Sequence, residues 1–130
     1  MGRSGSRRCL GRRRGVKRGD VFSLSLRGNA GKPRPGVIVH ASELLRPGQP
    51  ILVCPLTSVL LDDAVTRPTI EPTQTNGLRM VSQVMVNRMT SAEAGQLGTI
   101  VGTLSDEDMT KIDLAMMILL GLAHRLAGQT

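Results

Sequence analysis

The sequence predicts an α+β domain that is mainly β: a compact, strongly bent antiparallel sheet followed by one C-terminal helix. Two observations carry this. Between Val21 and Leu104, short apolar runs are separated by loops rich in Gly, Pro and Asn, which is the pattern of short strands joined by turns. From Ser105-Asp106-Glu107-Asp108 onward the spacing becomes helical. A length of 130 residues suits a single domain with a modest core, and no internal repeat interrupts it.

Residues 1–18 are low-complexity and basic and are expected to form a disordered tail, with the domain proper spanning 19–126. Val21-Phe22-Ser23-Leu24-Ser25-Leu26 alternates and predicts a first strand. Arg27 to Pro35 is a Gly/Pro/Asn loop, Gly36 to Ala41 a second strand, Glu43 to Pro50 another loop, and Ile51 to Ser58 a third strand. Pro68 to Pro72 fits a short edge strand, where proline is tolerated. Asn76-Gly77 is a turn signal leading into a strand over 78–87. Ser91 to Leu97 reads as one or two helical turns, and Thr99 to Leu104 as a last strand. In the helix, Ser105 can cap and the three acids suit the positive end of the dipole. Met109, Ile112, Met116, Leu119 and Leu122 form its expected core face. Leu114, Met117, Ile118 and Leu120 widen that face, as a subunit contact would require.

The net charge is +7, but it is unevenly placed. Eight basic side chains and no acid fall in residues 1–18; the remainder holds nine basic and ten acidic residues and is close to neutral. The high pI is therefore a property of the tail and not of the domain, and the tail fits an extension without a role of its own better than a loose RNA contact. Phe22 is the only aromatic residue, and seven methionines are available to fill gaps that rings would fill. Cys9 and Cys54 do not make a disulfide framework, so a reducing cytoplasm is expected. No apolar run approaches a membrane span. His40 and His124, without clustered acids, suggest neither a metal site nor a catalytic histidine pair, so no cofactor is expected.

Two stretches carry chemistry. Lys32-Pro33-Arg34-Pro35-Gly36 puts an arginine at the start of the second strand, and Cys54-Pro55-Leu56-Thr57-Ser58 puts a threonine and a serine at the end of the third. If these strands pair antiparallel, the start of one lies about 5 Å from the end of the other. A guanidinium and two hydroxyls then meet on one rim and can hold a phosphate and stabilise charge developing on it. The flanking prolines favour extended backbone and pre-orient Arg34.

These stretches, with Arg18-Gly19-Asp20-Val21, Ser82-Gln83-Val84, and Gly102-Thr103-Leu104-Ser105 leading into Leu119-Leu120-Gly121-Leu122, appear in the order and spacing of a known family. The chain resembles the MazF/PemK toxins of toxin–antitoxin pairs, which are sequence-specific endoribonucleases. The resemblance implies an SH3-like barrel of the PemK/CcdB type, a homodimer, and a cognate antitoxin. It also implies metal-independent cleavage of single-stranded RNA (mRNA, with tRNA or rRNA as further substrates) by attack of the 2′-hydroxyl, leaving a 2′,3′-cyclic phosphate and a 5′-hydroxyl. Carried over by position, Arg34 and Thr57 are the catalytic pair. Ser58, Ser82 and Gln83 are candidates for reading bases, and Arg27, Lys32 and Arg79 for binding phosphates. Some family members carry a carboxylate in the first loop; here Arg27-Gly28-Asn29-Ala30-Gly31-Lys32 has none, which leaves water, Asp20 or Glu43 as proton acceptors. Two alternatives stand beside this reading. One is a non-catalytic nucleic-acid-binding module. The other is a CcdB-like gyrase poison, although the tryptophan typical of that branch is absent.

Overall fold

The computed structural model describes residues 15–25, 33–63 and 65–123. Among the described residues, seven strands, β1 (Asp20–Leu24), β2 (Arg34–Ile38), β3 (Ile51–Thr57), β4 (Thr69–Ile70), β5 (Ser82–Val84), β6 (Thr90–Ala92) and β7 (Leu97–Thr103), precede the helix α1 (Asp106–Leu119). Single 3-10 turns occur at Ser42–Leu44, Val86–Arg88 and Ala94–Gln96. The order across the sheet is β4-β5-β3-β2-β1-β7, with β6 also on β3, and every pair is antiparallel. The sheet bends strongly without closing.

The bend is built at β3. Its first half (Ile51, Leu52, Val53) pairs with β6, and its end (Leu56, Thr57) pairs with β5. Between them the Pro55 carbonyl accepts the Met85 N–H at 2.8 Å. In an extended strand the N–H and C=O of one residue face the same edge. The donor that Pro55 lacks would thus face the junction where one partner strand gives way to the next, which is why a proline is tolerated in a central strand. Register shifts between β1 and β7, on either side of Phe22, add curvature at the other end.

The curled sheet buries both faces. Val21, Val37, Cys54, Leu56 and Val84 pack under Met109, Ile112 and Ala115 of α1. Phe22, Leu24, Ile38, Ile51, Val53 and Leu97 fill the opposite face. Ser105 caps α1 by accepting the Asp108 N–H at 3.1 Å. Burial of the helix stops at Ala115 and Met116; Leu119 and Leu122, expected in the core, are exposed, as are Leu114, Ile118 and Leu120.

Three further expectations are corrected. The domain starts before residue 19: Val16 is buried in the second cluster, and Arg18 donates through Nε to the Val39 carbonyl at 3.1 Å and pairs with Asp113 of α1. The strand expected over 78–87 is confined to Ser82–Val84, because Leu78 to Val81 leave the sheet and Val86–Arg88 turn as 3-10. The helical turns expected over 91–97 are β6 followed by one 3-10 turn, the latter held by a capping box of Glu93 and Gln96. Residues 1–14, Cys9 and His124 lie outside the described residues. Among the described residues no helix is long and apolar enough to cross a membrane.

Candidate active site

The β2/β3 register decides which side chains meet. Gly36 lies opposite Pro55, Val37 opposite Cys54 and Ile38 opposite Val53. Beyond these pairs, Arg34, the first residue of β2, and Thr57, the last of β3, lie at the same end of the two strands. Residues directly opposite in a ladder point to the same face. Alternation along each strand puts this pair on the face of Ile38 and Val53, away from the helix. Gly36 is part of the device: a Cβ there would meet Leu24 at 3.1 Å and Phe22 at 3.3 Å, so its absence lets those side chains pack beneath the rim.

Arg34 and Thr57 line one open cleft of about 530 Å³, together with Ser58, Arg79 and Ser82. The Arg34 side chain is exposed and has no hydrogen bond or ion pair among the described residues. Thr57 is buried, and its Oγ1 accepts the Val59 N–H at 3.1 Å. That bond occupies a lone pair and leaves the hydroxyl proton free to donate into the cleft. Ser58 is exposed at the rim, and Ser82 donates its hydroxyl to the Met80 carbonyl at 2.9 Å, which leaves it an acceptor. The site can therefore present a fixed cation and an oriented O–H donor to one anionic group.

Gln83 is not in this cleft. Its amide oxygen accepts from the Leu61 N–H at 2.9 Å and from Arg67 Nε at 3.1 Å; its amide nitrogen donates to the Leu61 carbonyl at 2.9 Å and to Thr69 Oγ1 at 3.2 Å. It is a buried clamp on the loop that follows Thr57. Within that loop, Thr66 donates to Asp63 through N–H and Oγ1–H and holds the carboxyl below its ordinary range. Arg27 and Lys32 lie outside the described residues.

Neither carboxylate considered as a proton acceptor faces the cleft. Asp20 stands at the other end of β1 from the Leu24–Arg34 pair, fully buried, and accepts from Lys17 Nζ at 3.1 Å and from Thr103 Oγ1 at 3.0 Å. Glu43 sits in the turn beyond the far end of β2. His40 staples a loop: its Nδ1 accepts the Leu52 N–H at 3.2 Å, so Nε2 is the donor to the Leu44 carbonyl at 3.3 Å. Among the described residues no group of three or more His, Cys, Asp or Glu side chains is placed to hold a metal ion.

The remaining wall went unrecognised in the sequence. Leu78, Met80 and Val101 line the cleft beside Arg79. Buried Asn76 organises the approach to them: its Oδ1 accepts the N–H groups of Thr73 and Leu78, both at 3.0 Å, and its Nδ2 donates to the Glu71 carbonyl at 2.9 Å. The Asn76-Gly77 pair was legible as a turn, but its docking on β7 was not.

The family described as PemK-like, MazF-like toxin of type II toxin–antitoxin system matches residues 17–120. Over 109 residues the chain is 34% identical to the probable endoribonuclease MazF of Mycolicibacterium smegmatis, covering 83% of this chain and 99% of that protein. In fold it is similar to the Mycobacterium tuberculosis toxin MazF-mt6, with a TM-score of 0.65 at 21% identity over 79% of this chain and 97% of that one. It is also similar to an endoribonuclease from mycobacterial species solved in complex with its cognate antitoxin, with a TM-score of 0.67 at 23% identity over 84% and 96% of the two chains.

Proposed function

The chain belongs to the PemK-like, MazF-like toxin family of type II toxin–antitoxin systems, and from that premise we propose that it is an endoribonuclease that cuts single-stranded RNA in the cleft between Arg34 and Thr57. The observation that carries the reading is that these two residues, distant in sequence, line one cleft, and that among the described residues neither the guanidinium nor the threonine hydroxyl proton has a hydrogen-bond partner.

The ribose 2′-oxygen attacks the adjacent phosphorus; the bond from phosphorus to the 5′-oxygen breaks. A 2′,3′-cyclic phosphate and a 5′-hydroxyl result, the 2′-hydroxyl proton passing to water and the 5′-oxygen taking one up. Negative charge grows on the non-bridging oxygens of the five-coordinate phosphorus. The planar fork of Arg34 matches those oxygens, and Thr57 adds a donor already in place before the reaction begins. Arginine stays protonated, so Arg34 acts as an electrostatic group rather than as a base. Proton transfer falls to solvent, since neither the cleft lining nor the 26–32 sequence offers a carboxylate. Arg79, with Arg27 and Lys32, contacts flanking phosphates, and Ser58 and Ser82 read base edges; Gln83, with its amide engaged, leaves that set.

The substrate is cellular RNA, mRNA first, in the cytoplasm. A cognate antitoxin restrains the enzyme by competing for the same positive groups. The exposed apolar end of α1, with Leu114, Ile118 and Leu120, supports a homodimer. Purified protein incubated with a long single-stranded RNA and EDTA is expected to give discrete fragments with 5′-hydroxyl ends. Uncut RNA, or equal cleavage by Arg34→Ala, would overturn the reading.

A further inference from the structure

The cleft has an apolar side that phosphate chemistry does not use. Met80 and Val101 line it, 60% and 46% exposed, although the backbone that carries them is strapped down. Gly77 (φ +71°) approaches β7 so closely that an added Cβ would lie 2.3 Å from the Val101 carbonyl oxygen. A Cβ on Gly102 would lie 2.3 Å from the Thr75 carbonyl oxygen, and the Thr103 N–H donates to that oxygen at 2.9 Å. The Ser82 hydroxyl then ties down the Met80 carbonyl. Two glycines and a buried asparagine thus fix the position from which two apolar side chains face the cleft of Arg34 and Thr57.

A lone exposed Met or Val on a surface needs no explanation. A pair on strapped backbone, inside a cleft that grips a phosphate, faces whatever is attached to that phosphate. In RNA this is a ribose bearing a flat base with apolar faces. RNA-binding proteins commonly stack such faces on aromatic rings. Phe22 is the only aromatic residue of this chain and is fully buried, so the stacking surface must come from another side chain. A thioether is polarizable, adapts its shape, and makes favourable contacts with aromatic rings.

Resting on the nuclease reading, we propose that Met80 and Val101 form a nucleobase subsite, in which the face of a base adjoining the scissile phosphate lies against the Met80 thioether and the Val101 methyls. The subsite grips a base by its face; the choice among bases comes from polar groups at its edge.

The test uses the full chain and a short single-stranded RNA spanning a mapped cut site. This RNA carries 2′-deoxyribose at the cut nucleotide, so that it binds without reacting. Abasic versions remove one flanking base at a time. Met80→Ala is expected to weaken binding of the intact RNA by roughly two- to tenfold, and Met80→Leu by less. For one abasic RNA, wild type and Met80→Ala should bind equally, because the base that touches Met80 is gone. If Met80→Ala binds the intact RNA as wild type does, or loses the same factor on every abasic RNA, the subsite is wrong while cleavage by the wild type still upholds the nuclease. A wild type that neither binds nor cuts RNA overturns both. Met80 is exposed, so the variant is expected to fold, and circular dichroism checks this.

Discussion

Thr57→Val separates catalysis from architecture. Valine keeps the shape of threonine and removes only the hydroxyl. In the folded protein that hydroxyl accepts the Val59 N–H at 3.1 Å, and its own proton is free. Losing the first interaction costs stability about 0.5–1.5 kcal/mol. The low end applies, because Val59 is exposed and water can take its N–H. Losing the second removes a pre-placed donor from the transition state, a loss of about 2.7–4 kcal/mol, or roughly 10²–10³ in kcat. The expected result is a protein that unfolds almost as wild type does and cuts RNA at least a hundredfold more slowly. Thr57→Ser, which keeps the hydroxyl, should recover most of the rate. The assay is single-turnover cleavage of end-labelled RNA in EDTA, run beside urea unfolding of the same preparations. A Thr57→Val protein that cuts at the wild-type rate would show that the hydroxyl takes no part in cleavage. So would a rate loss fully matched by loss of folded protein, since Thr57 would then serve the strand end alone.

Arg34→Ala should lose at least about 2.7–4 kcal/mol of barrier stabilisation at unchanged melting temperature, because its side chain is exposed and unbonded among the described residues; Arg34→Lys should recover only part, lacking the bidentate fork. Gln83→Leu removes four hydrogen bonds from the loop after Thr57 and should cost about 2–4 kcal/mol, read by urea unfolding and by new protease cuts between 58 and 67. Burial pushes the Cys54 thiol up to about 12 from 9.0, with Arg18 opposing weakly. The native state therefore holds this proton at pH values where the unfolded chain releases it. Stability is unaffected below the unfolded value and falls as pH rises from about 9 toward 12, by at most about 1.4 kcal/mol per pH unit. Cys54→Ala should lack that part of the slope when the two proteins are unfolded side by side.

Particular residues explain what could and could not be read in advance. Arg34 and Thr57 were legible because consecutive strands joined by a loop tend to pair, and antiparallel pairing brings a start beside an end. β6 was not: Thr90-Ser91-Ala92 is too short and polar to show a period, and it becomes a strand only because the first half of β3 has an edge to fill. Gln83 looked like a polar group available to RNA. Its partners, Leu61, Arg67 and Thr69, lie 14 to 22 residues away, and nothing local announces them. Leu119 and Leu122 fit the helical period of the core, but a period describes only the helix and not where its packing against the sheet stops.

The mainly β character with one helix after Ser105, the cap on that helix, the turn at Asn76-Gly77 and the residue types suited to a phosphate could be read from the sequence. All of these follow from backbone preferences and from side-chain chemistry within a few positions. The cleft itself was decided only in three dimensions. Arg34 sharing a cleft with Thr57, Met80 sharing it with Val101, and a carboxamide turned inward to hold a loop each depend on register and close approach between distant segments. Such contacts are selected by the packing of the whole chain, which no short window of residues contains.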